Sequence, residues 1–133
     1  MTEVMPAPTI LVIDDERDTR ESLKIILEAA GYRVQTARDG SEGLRLQQAG
    51  PADAVITDIF MPVVEGLETI KAIRLRFPGT KIIAVSGGGK AFRSPAYLET
   101  AGMAGADATF TKPVAPEELL RVLRGLLPEP GER

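Results

Sequence analysis

The chain of 133 residues contains no cysteine and no histidine. The first absence excludes disulfides, thiolate metal sites and thiol nucleophiles. The second excludes imidazole ligands, histidine-based triads and any phosphohistidine carried on this chain. Excess positive charge is lacking as well: 16 basic against 19 acidic side chains give a net charge of −3. No field is therefore set up to hold nucleic acid or anionic lipid. Long apolar runs are missing too. The stretch from Ile10 to Ile13 is far too short for a membrane span, and the opening MTEVMPAP has no basic signal-like region. A cytoplasmic protein without a membrane partner is expected. The chemistry left to it rests on carboxylates, hydroxyls, lysines and backbone amides.

What is present fits one globular domain. Hydrophobic residues make up 44% and charged residues 26% of the chain. A chain of this size can bury roughly two-thirds of its unfolded surface, enough for a core. Thr9 to Ile13 is a continuous β-branched run, which marks a strand buried on both faces. From Arg17 to Ala30 the period turns helical, with Leu23, Ile26, Leu27 and Ala30 on one face and Gly31 as the stop. The alternation then repeats. Strands are expected at Tyr32 to Ala37, Ala52 to Thr57, Lys81 to Val85 and Asp107 to Thr111. Helices are expected at Ser41 to Ala49, Glu65 to Phe77, Pro95 to Ala104 and Pro116 to Leu127. Five strands alternating with five helices require right-handed crossovers, hence a doubly wound α/β fold with a parallel sheet. The strand order stays open at this level, because two orders are common.

In such sheets the site lies beyond the carboxyl ends of the strands. Asp14 and Asp15 follow the first strand, Asp58 the third, Ser86 and a run of glycines the fourth, and Lys112 the fifth. Each alone has an ordinary explanation as a helix cap, a turn or a surface charge. Their convergence on one rim does not. Three crowded carboxylates need a compensating cation, and an all-oxygen set suits a hard ion such as Mg²⁺.

These residues carry a resemblance. Asp14-Asp15, the run Asp58-Ile59-Phe60-Met61-Pro62 with Gly66, Val85-Ser86-Gly87 and Thr111-Lys112-Pro113 together resemble the receiver domain of two-component response regulators. The likeness spans about Thr9 to Leu127, giving an N-terminal extension at 1–8, a receiver domain at 9–127 and a tail at 128–133. It implies a flavodoxin-like sheet with strand order 2-1-3-4-5. It further implies that Asp58 is the phosphoacceptor, receiving a phosphoryl group from a histidine kinase or a histidine phosphotransfer protein. Asp15, Asp58 and the Phe60 backbone carbonyl would hold Mg²⁺, with Asp14 holding it through water. Lys112 would pair with the phosphoryl oxygens and Ser86 would hydrogen-bond one of them. A cis bond before Pro113 would aim the lysine. Ser86 and Phe110 would form the switch that reshapes the surface of the fourth helix, fifth strand and fifth helix, the face for a downstream protein target or a homodimer. Such a domain takes phosphate from small donors and loses it by itself without being a conventional enzyme.

Three features depart from the usual receiver pattern: the large apolar Phe60, the bare Gly88 two after Ser86, and a long glycine-rich stretch from Gly87 to Pro95. Only six residues follow Leu127, so the expectation is either a single-domain regulator acting by protein contact or a fragment of a longer chain. Leu120 and Leu127, seven apart and off the stripe of Leu119, Val122, Leu123 and Leu126, are candidates for a docking face. A phosphate loop does not fit, because Ala84 and Ala91 stand where Gly and Ser or Thr are needed. The dinucleotide fingerprint fails at Phe92. A metal-dependent hydrolase would need two carboxylates separated by one residue, whereas Asp14 and Asp15 are adjacent. The remaining rival is a receiver-like interaction module that works without phosphorylation.

Overall fold

The computed structural model describes residues 7–59, 63–87, 102 and 104–128, with backbone alone at 63–65. In chain order the elements are β1 (Thr9–Ile13), α1 (Arg17–Ala29), β2 (Arg33–Ala37), α2 (Gly40–Ala49), β3 (Ala54–Asp58), α3 (Val63–Arg76), β4 (Lys81–Ser86), β5 (Ala108–Thr111) and α4 (Pro116–Leu126). All strand pairs are parallel, in the order β2-β1-β3-β4-β5. The doubly wound sheet expected from the alternation is therefore present, with four helices among the described residues. The helix expected at 95–104 lies outside them apart from Gly102 and Ala104, as do Phe60 and the stretch 88–95.

Alternation along the strands builds two cores. Leu11, Ile13, Val55, Ile82 and Ala84 point to one face and pack with Ile70 and Ile73 of α3. Ile10, Val12, Ile56, Ile83 and Val85 point to the other and pack with Leu27 of α1 and Leu119 and Leu123 of α4. Each fully buried aliphatic side chain contributes about 2 kcal/mol by leaving water, so the central strands anchor the fold. The two edge strands are only partly buried. Gly66 allows α3 to cross the end of β3 closely. A Cβ there would sit 2.6 Å from the Ile59 Cα and 2.9 Å from its carbonyl atoms.

Several boundaries shift for identifiable reasons. β2 starts at Arg33 because the buried Tyr32 belongs to the turn after α1. β3 starts at Ala54 because Asp53 is occupied as a crossbrace, its carboxylate accepting the Thr9 N–H at 2.8 Å. β3 and β4 each run one residue further, so Asp58 and Ser86 end strands instead of opening loops. One expectation is corrected outright. Leu127 is buried and Leu120 half-buried, both within the α1–α4 core. The chain turns extended at Leu127 while its N–H still bonds Leu123 O, which folds the side chain inward. These two leucines form no docking face. No described helix is long and apolar enough to cross a membrane.

Candidate functional site

Strand parity places the site. Asp14 continues the register of Ile10 and Val12, and Asp58 that of Ala54 and Ile56, so both project on the α1–α4 side of the sheet. Both are 3% exposed at the rim. Lys112, two residues beyond Phe110, reaches across from the edge strand. Its Nζ lies 3.0 Å from Asp14 Oδ2 and 3.0 Å from Asp58 Oδ2. Glu16 adds a looser, exposed contact at 3.7 Å. The Lys112–Pro113 peptide is cis, as the resemblance implied.

The acidic cluster has three members. Asp14, the exposed Asp15 and Asp58 each offer a carboxylate oxygen, all within 4.8 Å of one another. At that spacing, two like charges repel by about 3–4 kcal/mol at an effective dielectric constant of 20. One ammonium among three carboxylates leaves the repulsion incompletely neutralised. The electrostatics show directly on the lysine. Burial works against its charge, but the hydrogen bonds and negative charge of Asp14 and Asp58 outweigh that, and its pKa rises above the usual 10.5. The donor set is all oxygen and two of the three carboxylates are buried, a combination that fits a hard divalent cation. A cavity of about 520 Å³ opens beside the cluster, between α1 and residues 112–114, with Thr19, Leu23, Ile26 and Val85 among its walls.

Ser86 closes β4 in register with Thr111 of β5 and is 1% exposed. Its carbonyl accepts the Lys112 N–H at 2.7 Å, which fixes where the lysine leaves the sheet. Phe110 is half-buried against the α1–α4 core. Asp14, Asp15, Asp58 and Lys112 thus meet at one point, with Ser86 at the end of the adjoining strand and Phe110 two residues before the lysine. Phe60 lies outside the described residues.

Two residues contribute in ways that the sequence did not assign. Gly87 reads as the first of a flexible glycine run, yet a Cβ there would sit 2.5–2.6 Å from Lys112 Cβ, Cγ and Cδ. Its bareness gives the lysine stem its path. Arg20 stands on α1 away from the strand ends, yet its Nη1 donates to the Asp14 main-chain carbonyl at 2.7 Å. One signal was available for it. Arg17 and Arg20 stand in the first turn of α1, where the helix dipole disfavours cations, so a partner was needed.

With that geometry in place, the comparisons with known proteins are informative. The chain matches the response regulator receiver domain over residues 10–124. It belongs to that family. It is 40% identical over 119 residues to the response regulator MprA of Mycolicibacterium vanbaalenii, covering 89% of this chain and 49% of that one. The MprA of Mycobacterium ulcerans is 39% identical over the same length, again with 49% of the relative covered. The chain thus spans about half the length of the curated relatives it matches. Among solved structures, the chemotaxis protein CheY4 of Vibrio cholerae superposes with a TM-score of 0.80 at 33% identity, covering 91% of this chain and 99% of that one. A CheY-like receiver domain protein from Methanospirillum hungatei gives 0.81 at 34% identity, with 90% and 92% covered. The fold and the response-regulator class expected from the motifs hold.

Proposed function

We propose that Asp58 is the phosphoacceptor of this receiver domain and that its donor is the phosphohistidine of a kinase or phosphotransfer protein. A carboxylate needs no base to become a nucleophile, which suits a chain without histidine. In the step, an Asp58 carboxylate oxygen forms a bond to phosphorus while the phosphorus–nitrogen bond of the donor breaks. The donor imidazole leaves with the electron pair, and an aspartyl phosphate remains on Asp58. Phosphoryl transfer has a loose, highly charged transition state, so catalysis is mainly positioning and charge neutralisation. Lys112 bridges Asp14 and Asp58 at 3.0 Å each, which supports a role for its ammonium in neutralising the new phosphoryl oxygens. That contact is the observation carrying the proposal.

Asp14, Asp15 and Asp58 would hold Mg²⁺, with the Phe60 carbonyl completing the set. When bound, the ion supplies further neutralisation of the phosphoryl oxygens. Lys112 then turns from the carboxylates toward the phosphoryl group, with Gly87 leaving its stem free to do so. Ser86 would donate its hydroxyl to a phosphoryl oxygen, and Phe110, half-buried against the α1–α4 core, would relay the change to a downstream protein. A cytoplasmic setting belongs to this reading.

The test is incubation with Mg²⁺ and acetyl phosphate followed by intact-mass analysis. A single acid-labile phosphoryl adduct is expected on the wild type and none on Asp58→Asn. A wild type that stays unmodified, with kinase donors as well, would leave only a docking module independent of phosphorylation.

A further inference from the structure

We propose that Arg20 is a positioning residue for the acidic cluster, a strut that holds the β1–α1 turn in the shape the divalent cation needs. The inference rests on the reading that Asp14, Asp15 and Asp58 bind that cation.

Asp14 has four polar contacts. Its N–H donates to Ala37 O at 3.1 Å, extending the β1–β2 ladder by one residue. Its Oδ1 accepts the Glu16 N–H at 2.8 Å, and its Oδ2 accepts from Lys112 at 3.0 Å. Its main-chain oxygen accepts from Arg20 at 2.7 Å. The two contacts on the carboxylate must rearrange when a cation or a phosphoryl group draws on Asp14 or Lys112. The two on the main chain need not. Of these, the ladder bond fixes the near side of the residue, and the Arg20 bond fixes the side from which Asp15 and Glu16 lead into the helix.

The turn needs such a strut because α1 has a weak start. Glu16 at the N-cap makes no side-chain cap, and the Asp14 carboxylate serves the Glu16 N–H instead. If Asp14 turns toward a cation, that stand-in cap loosens just as Asp15 must stay in place. Arg20 is anchored one turn into the helix, its own N–H bonded to Glu16 O at 3.1 Å. It therefore ties the helix body to the strand end by a bond that does not involve the carboxylate. The guanidinium also brings a permanent positive charge beside three carboxylates whose repulsion one lysine does not cancel. Partners that orient ligating groups without touching the ion typically set metal affinity by about 10- to 100-fold.

Mg²⁺ titration of the full chain, followed by amide NMR shifts at 14–16 and 58, tests this. Arg20→Met keeps the aliphatic stem and removes donor and charge; Mg²⁺ affinity is expected to fall about tenfold. Arg20→Lys keeps a donor and the charge and is expected to recover most of that loss. In Arg20→Met, saturating Mg²⁺ should restore the acetyl phosphate reaction, a concentration-dependent rescue that a purely structural defect would not show. Unchanged Mg²⁺ affinity in Arg20→Met, or equal losses in the Met and Lys variants, overturns the proposal. If the wild type shows no saturable shifts that Asp58→Asn weakens, the cation reading itself fails, a result distinct from either.

Discussion

At the amino-terminal end of the sheet, Arg74 of α3 donates to the carbonyls of Gly105, Pro78 and Thr80 and to Asp107 at 2.6 Å. Asp107 in turn accepts the Ile82 N–H at 2.8 Å. Beside it, the buried Gln47 accepts from Ala52 and donates to Thr80, which donates to Ala52 O. Cations and anions are matched there, and amide and hydroxyl are satisfied in a closed set. At the carboxyl end, three acidic groups share one lysine. Both ends bury polar atoms under the same strands, yet among the described residues the acidic excess gathers at the carboxyl end. The matched end holds α3, β4 and β5 together. The unmatched end keeps an excess of negative charge of the kind a hard divalent cation relieves.

Substitutions at the two ends should therefore separate stability from acceptance. The largest effect is expected for Lys112→Ala, which removes the cation that bridges Asp14 and Asp58. Phosphorylation by acetyl phosphate should slow about 100-fold, equivalent to about 2.7 kcal/mol of transition-state stabilisation. The same variant alters the alkaline limb. Because the folded protein raises the Lys112 pKa above 10.5, the ion pairs contribute fully below the unfolded value and are lost as pH rises through the folded one. Wild-type melting temperature should drop across that window, and this part of the drop should vanish in Lys112→Ala, as read by circular dichroism.

Next comes Arg74→Ala, at the matched end. It leaves the Gly105 and Thr80 carbonyls without their donor and Asp107 without its cation. A loss of about 2 kcal/mol in unfolding free energy is expected, trimmed by the partial exposure of the pair. The phosphorylation rate of the folded fraction should stay at the wild-type value. If that rate falls in step with stability, the two ends are not independent. The smallest effect is expected for Thr19→Ile, which places a larger apolar side chain on the wall of the cavity beside the cluster. Urea denaturation should show a gain of about 0.5–1 kcal/mol, with acceptance unaffected.

The sequence alone determined which residues could do chemistry, by exclusion and by periodicity. Without histidine or cysteine, the candidates were the carboxylates, hydroxyl and lysine that follow strands, Asp14, Asp15, Asp58, Ser86 and Lys112 among them. Alternating strand and helix periods fixed a parallel sheet, which aims all strand ends at one rim. Those signals are local, carried by burial patterns a few residues long. Contacts between segments far apart in sequence were decided only by the tertiary structure. Leu127 turns inward where the backbone becomes extended at the end of α4, which a helical wheel does not show. Gly87 matters because the Lys112 stem crosses it, and Arg20 because its helix docks where the guanidinium reaches the Asp14 carbonyl. Each depends on where two separately formed elements come to rest against each other, and no periodicity within either element encodes that distance.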